Sequence, residues 1–202
     1  MNISTPTFLI NLNQCRKNIE KMAAKAREND IIFRPHFKTH QSARVGELYK
    51  QAGVSKITVS SVAMAQYFTA AGWQDITIAF PVNIRETDDI NRLAAEINLN
   101  LLLLNEKAAE FIDQKLQVKA GVYIEIDTGY HRSGILYSQI DQIQNLLTKI
   151  TYSDQLKFRG FLTHAGHTYH ATRESEILQI HQDTGKRMQF LKAKFYQYKP
   201  II

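Results

Sequence analysis

Residues 52–58 read Ala-Gly-Val-Ser-Lys-Ile-Thr, and residues 71–77 read Ala-Gly-Trp-Gln-Asp-Ile-Thr. The second stretch begins 19 residues after the first. Each contains the end of a helical pattern, a glycine of the kind that closes a helix at its carboxyl end, and the start of an apolar strand. This repeat is typical of successive helix-to-strand turns between neighbouring parallel strands, and it predicts an α/β fold.

The alternation of strand and helix continues on both sides of this repeat. The run Leu101–Leu104 has no polar alternation, which suits a strand that is buried on both faces. No linker rich in proline, glycine or serine interrupts the pattern, so we expect one domain over residues 1–202. Six strands are predicted, at Ile31–Phe33, Lys56–Val59, Asp75–Phe80, Asn98–Leu104, Val118–Asp127 and Leu156–Leu162.

Two of the predicted helices carry apolar residues at helical spacing. On the first, which Asn11 or Asn13 would cap, we expect Cys15 to be a buried small hydrophobe rather than a reactive thiol. The apolar positions of this helix are Leu12, Cys15, Ile19, Met22 and Ala26, and those of the last helix are Ile177, Ile180, Thr184, Met188, Leu191 and Phe195. Three further helices are predicted at about residues 42–52, 61–72 and 138–150.

The last residues, Tyr198–Ile202, read as the approach to another strand. Six strands and a new beginning do not complete a closed barrel of eight, which takes about 250 residues. We therefore expect the chain to be a fragment or a truncated product.

The composition, 44% hydrophobic and 22% charged, is that of a soluble globular protein and excludes disorder, collagen and a coiled coil. No apolar run approaches the roughly 20 residues of a membrane helix, and Met1–Thr7 lacks the pattern of a secretory signal. One cysteine excludes a disulfide framework and a zinc cluster of thiolates. We expect a cytoplasmic protein that binds no membrane.

The formal net charge is +6, from 25 lysines and arginines against 19 acidic residues. Such an excess can attract nucleic acid, a membrane surface or an anionic small molecule. Because the basic residues are dispersed along the chain, without a run of four, we expect no nucleic-acid partner.

Polar residues are densest after the first, fifth and sixth predicted strands, at residues 34–40, 127–134 and 163–170. In parallel α/β folds, the carboxyl ends of the strands carry the chemistry. Five of the seven histidines lie in the first and last of these stretches, at positions 36, 40, 164, 167 and 170.

Three chemistries compete for these residues. His164, His167 and His170 have the spacing of metal ligands on one helix face, but Gly166 argues against a helix and the next carboxylate is at Glu174. A second possibility is a phosphate site between Gly129 and Gly134, since glycines let backbone amides approach an anion. The alternative for that loop is that its glycines serve turn geometry.

The third chemistry is amine catalysis by Lys38. A lysine just past a buried strand, between His36 and His40, can be partly desolvated and pushed toward its neutral form. A neutral amine is what Schiff-base chemistry requires. The alternative is a solvated charge on a loop.

Residues 34–40, Arg-Pro-His-Phe-Lys-Thr-His, resemble the lysine motif of the D-threonine aldolase and D-serine dehydratase family. These pyridoxal phosphate (PLP) enzymes are of fold type III and are related to alanine racemase. Residues 127–134, Asp-Thr-Gly-Tyr-His-Arg-Ser-Gly, are similar to the Asp-x-Gly-x-x-Arg-x-Gly loop shared with alanine racemases. Residues 163–169 resemble the segment after barrel strand six, and Thr5-Pro6-Thr7 followed by a strand resembles the family's opening.

The resemblance implies a role for each of four residues. Lys38 would be the Schiff-base lysine, and Arg132 would lie near the phenolic oxygen of PLP or near the substrate. His164 would lie against or beside the pyridine ring and share in catalysis, and Tyr169 would reach the phosphate. His36 and His40 would orient Lys38 and its loop.

The resemblance also implies a TIM-like barrel of the alanine racemase N-terminal type, incomplete in this chain, with about six strands present. The remaining strands, a small β domain and the ligands of a divalent metal would lie beyond residue 202, and the full-length protein would be a homodimer. The implied activity is a PLP-dependent lyase acting on small D-3-hydroxy amino acids. The alternatives are an amino-acid racemase of the same fold, a PLP-binding protein without catalysis, or an inactive fragment.

Overall fold

The computed structural model of the protein describes Ser4, Thr7 and residues 9–202. Thr5 and Pro6, which belong to the resemblance at the family's opening, lie outside the described residues. Residues 9–11 form no strand and lead directly into the first helix. The helices are α1 (Leu12–Glu28), α2 (Ala43–Gln51), α3 (Val62–Ala70), α4 (Thr87–Glu96), α5 (Glu106–Lys115), α6 (Ile140–Thr151) and α7 (Glu174–Lys194).

The strands within the described residues form one sheet in which every pairing is parallel. The order is β1-β2-β3-β4, and both β5 and β6 pair with β4. The register runs from Ile57 opposite Ile76 to Leu101 opposite Val122. The strands are β1 (Ile57–Val59), β2 (Asp75–Pro81), β3 (Asn98–Leu103), β4 (Ala120–Asp127), β5 (Ile135–Leu136) and β6 (Leu156–Thr163).

The repeat at residues 52–58 and 71–77 has the geometry that it predicts. Gly53 and Gly72 have φ angles of +82° and +83°, the left-handed conformation that glycine adopts at little cost. Each glycine follows a helix and leads within a few residues into β1 or β2. At the opposite ends of the helices, the side chains of Ser42 and Ser61 accept hydrogen bonds from the first turns of α2 and α3. The predicted helix-to-strand turns between neighbouring parallel strands are therefore confirmed.

The strands of this sheet are buried on both faces at their centre. Leu101, Leu102 and Leu103 are each at most 1% exposed, as the unbroken leucine run predicts. The helices pack around the sheet with apolar residues such as Leu93, Ile112 and Leu146. Among the described residues, no helix combines the length and apolar character that a bilayer-spanning segment needs.

The prediction of a first strand at Ile31–Phe33 is wrong. Ile31 and Ile32 are exposed, and the segment makes a single β-bridge, between His36 and Thr58. A physical reason is Pro35, which has no N–H group to donate, so a ladder cannot pass through it. The six strands of the sheet therefore include the two-residue β5, which the sequence did not indicate.

Arg34 supplies much of the connection that the missing ladder would have made. Its Nη2 lies 2.7 Å from Oδ1 of Asp75 on β2, and its Nη1 donates to the carbonyl of Ile57 at 3.1 Å. Asp75 also accepts a hydrogen bond from Asn98 and lies 3.6 Å from Nζ of Lys56. Together with the bridge between His36 and Thr58, one guanidinium thus ties the segment before Lys38 to β1 and β2.

The predicted helix faces are only partly buried. Ile19 lies in the core, but Leu12 and Met22 are about half exposed, and Cys15 is a free thiol of intermediate burial. On α7, the carboxyl-terminal half of the stripe is buried while Ile177 is 45% exposed. Both helices therefore present apolar residues that the described chain does not cover.

The segment at the carboxyl end behaves as its pattern suggests. Ile201 forms a parallel bridge with Gly160 on β6, and the amide of Phe161 donates to the Ile201 carbonyl at 2.9 Å. A Cβ at position 160 would lie 2.0 Å from that carbonyl oxygen, so glycine is required for the approach.

Candidate active site

A cavity of about 210 Å³ lies where the segment before α2 and the carboxyl ends of β1, β4 and β6 meet. Three of the four predicted site residues line it. The loops of Arg132 and His164 follow the paired strands β4 and β6, whereas Lys38 follows the segment beside β1, and the three side chains meet at the carboxyl ends of the parallel strands. The polar residues of its lining include Arg34, His36, Lys38, Glu125, Arg132 and His164. Tyr169 is not part of this lining.

Lys38 lies on a single turn of 3₁₀ helix, Phe37–Thr39. The turn begins at His36, whose Nδ1 accepts a hydrogen bond of 3.3 Å from the Lys38 amide. Lys38 itself is exposed, so the burial from which the sequence argument expected a neutral amine is not found. The position of Lys38 comes from its backbone rather than from packing of its side chain.

The buried side chain of Phe37 holds that backbone against the core. Its side chain is fully buried among aromatic rings, with centroids 4.9 Å from Phe68 and 5.1 Å from both Tyr49 and Trp73. Gly46 on α2 leaves room for it, since a Cβ there would lie 3.2 Å from the Phe37 ring. A buried residue directly before an exposed one holds the turn against the core while its lysine faces the cavity.

His36 is neutral at ordinary pH. Burial, followed by the charges of Lys38 and His164, lowers its pKa from 6.5 to about 4. Because Nδ1 accepts from the Lys38 amide, the proton of the neutral ring is on Nε2. The expectation that His36 orients the lysine turn is consistent with this hydrogen bond.

The loop after β4 is organised by Asp127. Its Oδ1 accepts the amides of Gly129, Tyr130 and His131 at 2.8, 3.0 and 3.1 Å. Burial opposes ionisation of this carboxyl, but these donors, together with the His131 ring 2.9 Å from Oδ2, hold its pKa below the usual value.

The loop therefore supplies its own anion to these amides. A phosphate between Gly129 and Gly134 would find three of the amides taken, so the turn interpretation of the glycines holds. Gly129 and Gly134 have positive φ angles, and a Cβ at Gly134 would lie 2.8 Å from the Asp127 amide nitrogen.

Glu125 is a site residue that sequence reasoning missed. It is 4% exposed, and its Oε1 accepts a 2.8 Å hydrogen bond from the Ser133 hydroxyl. Its Oε2 is buried and has no hydrogen-bond partner within the described chain. Burial raises the pKa of Glu125, although Ser133 and Arg132 act in the other direction. The signal was its place two residues before Asp127, which puts both on one face of β4.

Arg132 and His164 approach the cavity from different strands. Arg132 is exposed, and its guanidinium carbon lies 5.3 Å from the ring centroid of Tyr130. Burial, Arg132 and Lys38 together lower the pKa of His164. Its Nε2 is buried and has no partner among the described residues. Both residues are placed to meet a ligand.

Two other sequence hypotheses end differently. Tyr169 is 69% exposed and contacts His164 edge-on, with centroids 5.7 Å apart. Its predicted contact with a phosphate stays a prediction. Among the described residues, His164, His167 and His170 do not come together as a set of metal ligands. Residues 166–170 form a 3₁₀ helix that contains His167 and His170 but not His164, so the three imidazoles do not lie on one helix.

The fold and the site together define a class of protein. It is a parallel α/β domain in which a lysine, Lys38, lies just before α2 and an arginine, Arg132, lies on the loop after β4. Residues 10–196 match the family described as "Alanine racemase, N-terminal domain", and the chain belongs to this family. Members of the family use pyridoxal phosphate.

Known relatives narrow the comparison. The chain is 29% identical to the D-serine dehydratase of Dictyostelium discoideum over 216 residues, covering 96% of this chain and 54% of that protein. It is 33% identical to the D-threo-3-hydroxyaspartate dehydratase of Delftia sp. (strain HT23) over 177 residues, covering 84% and 45%. A variant of the latter, solved in a metal-free form, superposes with a TM-score of 0.81, at 28% identity and over 92% of this chain and 50% of that one.

A third comparison concerns the fold. The crystal structure of D-threonine aldolase from Filomicrobium marinum has a TM-score of 0.85 at 20% identity, over 91% of this chain and 50% of that one. The chain spans about half the length of the curated relatives it matches. The expected barrel of the alanine racemase N-terminal type, with about six strands in this chain, is confirmed.

The residues at the cavity fit pyridoxal phosphate. Lys38 offers an amine for a covalent bond to an aldehyde, and Arg132 offers a guanidinium for an anionic oxygen. Glu125 and His164 both line this cavity, and each has a buried polar atom without a partner in the described chain. Buried polar groups are nearly always paired, so two such atoms beside one amine are consistent with a polar ligand.

Proposed function

We propose that the protein is a PLP-dependent lyase that acts on D-3-hydroxy amino acids. The observation that carries the proposal is the meeting of Lys38, Arg132 and His164 in one cavity from three separate loops. The proposal is supported by relatives whose names are those of a D-serine dehydratase and a hydroxyaspartate dehydratase.

Each predicted site residue has a place in this proposal. Lys38 would hold PLP covalently, Arg132 would bind its phenolic oxygen or the substrate, and His164 would lie beside its ring. Tyr169 would reach its phosphate. When bound, PLP supplies an electron sink for the bond that breaks at the α-carbon, while the protein selects that bond.

The protein's own groups at this cavity are suited to moving protons. His164 can accept a proton, because its Nε2 has no partner in the described chain and its lowered pKa favours the neutral imidazole, whereas Nδ1 of His36 already accepts from the Lys38 amide. Glu125 is a buried carboxyl of raised pKa, so it holds a proton more readily than an exposed glutamate. In a dehydration, a base takes the α-proton before the 3-hydroxyl leaves. In an aldol cleavage, a base takes the proton of the 3-hydroxyl.

Further features of the proposal concern the whole protein. Residues 1–202 would form one PLP-binding domain, and the protein would be a cytoplasmic homodimer. A divalent metal with ligands outside this chain would polarise the 3-hydroxyl of the substrate.

Borohydride trapping tests the Lys38 assignment directly. The protein is mixed with PLP, reduced with borohydride, digested and examined by mass spectrometry, with Lys38→Ala and the exposed Lys157→Ala compared side by side. We expect the reduced cofactor on the peptide that contains residue 38, its loss in Lys38→Ala and no change in Lys157→Ala. A label on another lysine would overturn the assignment.

Product analysis then tests the reaction class. D-serine, D-threonine, D-threo-3-hydroxyaspartate and D-alanine are each supplied, and the products are identified. A 2-oxo acid with ammonia indicates dehydration, and glycine with an aldehyde indicates aldol cleavage. Conversion of D-alanine to L-alanine without either would instead indicate a racemase, and PLP binding without any turnover a non-catalytic binding protein.

A further inference from the structure

Tyr130 lies between the two loops that carry Arg132 and His164. Its ring centroid is 5.3 Å from the Arg132 guanidinium carbon and 5.7 Å from the His164 ring, which it meets at 84°. It also stacks at 28° against His167, with centroids 6.3 Å apart. One aromatic ring thus contacts the cation of the β4 loop and the imidazole of the β6 loop.

The backbone of the β6 loop is shaped to receive this ring. A Cβ on Gly166 would lie 2.4 Å from Cε1 of Tyr130, closer than any real Cβ contact. Gly166 has no positive φ angle to explain its presence. The absence of a side chain at position 166 is therefore explained by the ring of Tyr130.

The base of Tyr130 is fixed as well. Its amide donates to Oδ1 of Asp127 at 3.0 Å, and the neighbouring Thr128 hydroxyl is 2.9 Å from that of Thr163 on β6. Arg187 on α7 donates to the Thr128 carbonyl at 2.5 Å. With its backbone held on one side and its ring on Gly166 on the other, Tyr130 has little freedom to move.

We infer that Tyr130 is a positioning residue, whose ring sets the distance between the Arg132 guanidinium and the His164 imidazole. The value of this pairing for catalysis rests on the proposed function, whereas the geometry does not. A cation over an aromatic face and an imidazole at its edge are both favourable contacts with the ring quadrupole. Replacing the ring with an aliphatic side chain removes both.

The charged and titratable groups that face His164 are known, so its titration reports on this arrangement. They are Arg132, Lys38, His36 and His167, with Glu125 in the same cavity and the phenol rings of Tyr130 and Tyr169 in contact with the imidazole. Burial and the positive charge of Arg132 are the two largest causes that lower the pKa of His164. Moving Arg132 away and opening the ring contact both raise that pKa toward 6.5.

The experiment is a double-mutant cycle read by NMR on the cofactor-free chain. The imidazole of His164, assigned with His164→Gln, is titrated in the wild type, Tyr130→Leu, Arg132→Gln and the double variant. We expect Arg132→Gln to raise the pKa of His164 in the wild-type background and to change it much less in the Tyr130→Leu background. Equal changes in both backgrounds would overturn the inference.

Three matched variants complete the test. Tyr130→Phe keeps the ring and is expected to titrate as the wild type, whereas Tyr152→Leu removes a tyrosine that is 87% exposed and changes nothing at His164. If Tyr130→Leu fails to fold by circular dichroism, Gly166→Ala displaces the ring with a smaller change and must raise the pKa of His164. A wild-type titration in Gly166→Ala would then overturn the inference.

The readout separates this inference from the proposed function. If the protein binds no PLP, the proposed function fails, but the coupling between Arg132 and His164 is still measured. If the coupling is absent while Lys38 carries PLP, the inference fails and the proposed function stands.

Discussion

The Ser133 hydroxyl donates a 2.8 Å hydrogen bond to Oε1 of Glu125, eight residues earlier in the chain. This contact joins the middle of β4 to the loop that follows it and leaves Oε2 of the same carboxyl buried without a partner in the described chain. A buried carboxyl without a partner for one oxygen lowers the stability of the fold when it ionises.

Glu125→Gln is expected to stabilise the protein above neutral pH. Burial raises the pKa of Glu125, so its favourable contribution is present at low pH and is lost as pH rises through the folded-state pKa. Glutamine keeps an acceptor for Ser133 and cannot ionise. We expect a gain of about 1–3 kcal/mol at pH 8 and none at pH 4, from denaturant unfolding. The exposed Glu96→Gln should show neither effect, and an equal gain at both pH values would contradict the prediction.

Arg132→Lys is expected to reduce turnover although the charge is kept. Lysine lacks the planar guanidinium that lies against Tyr130 and that can donate two directed hydrogen bonds to a ligand. We expect kcat/KM to fall by about tenfold to a hundredfold, or about 1.4–2.8 kcal/mol in the transition state. Arg16→Lys, on the exposed face of α1, is the control. Unchanged kinetics would remove Arg132 from the site.

His36→Asn is expected to flatten the pH dependence of stability below neutrality. Because the pKa of His36 is lowered to about 4, the unfolded chain takes up a proton before the folded one, and stability falls as pH drops from 6.5 toward 4. Asparagine can still accept the amide two residues on, but it does not titrate in this range. Thermal unfolding across pH 4–7 checks this, with exposed His170→Asn as the control. His40 and His164, whose pKa values are also lowered, contribute to the slope that remains.

Phe37→Leu is expected to weaken both the core and the placement of Lys38. The ring is fully buried among Phe68, Trp73 and Tyr49, and leucine fills less of that space. We expect a loss of about 1 kcal/mol in unfolding free energy and slower borohydride trapping of PLP on Lys38. Phe80→Leu, at a phenylalanine that is 62% exposed, should change neither. If Phe37→Leu is less stable but PLP is trapped on Lys38 at the normal rate, the buried ring of Phe37 does not place the lysine.

Much of the fold follows from local rules that the sequence displays. The glycines at 53 and 72 and the serines at 42 and 61 fix the ends of helices by backbone geometry and side-chain caps alone. The strand expected at Ile31–Phe33 is absent because a strand requires hydrogen bonds to a partner strand. The apolar pattern alone took no account of Pro35, which has no N–H group to donate. α4 and α5 were not predicted, although both are ordinary amphipathic helices.

The candidate site was predictable where it lies on loops and not where it lies inside the sheet. Lys38, Arg132 and His164 stand in polar stretches after apolar runs, so their sequence context is distinctive. Glu125 lies within a strand and Tyr130 beside a glycine, and only the three-dimensional structure shows that one faces the cavity and the other rests on Gly166. Tyr169 was placed by resemblance alone, and its exposed ring is outside the lining of the cavity.

The hydrogen bonds of Asp127 bear on how the proposed cofactor would bind. The carboxylate already satisfies the amides of Gly129, Tyr130 and His131, so the backbone before Arg132 is held by contacts within its own chain. Pyridoxal phosphate would then bind to a preorganised loop, and binding would lose little conformational entropy from ordering that loop. The amides at 129–131 should exchange hydrogen with solvent at the same slow rate with and without pyridoxal phosphate. Binding of pyridoxal phosphate at low concentration would then be set by its association and dissociation rates, not by folding of the loop.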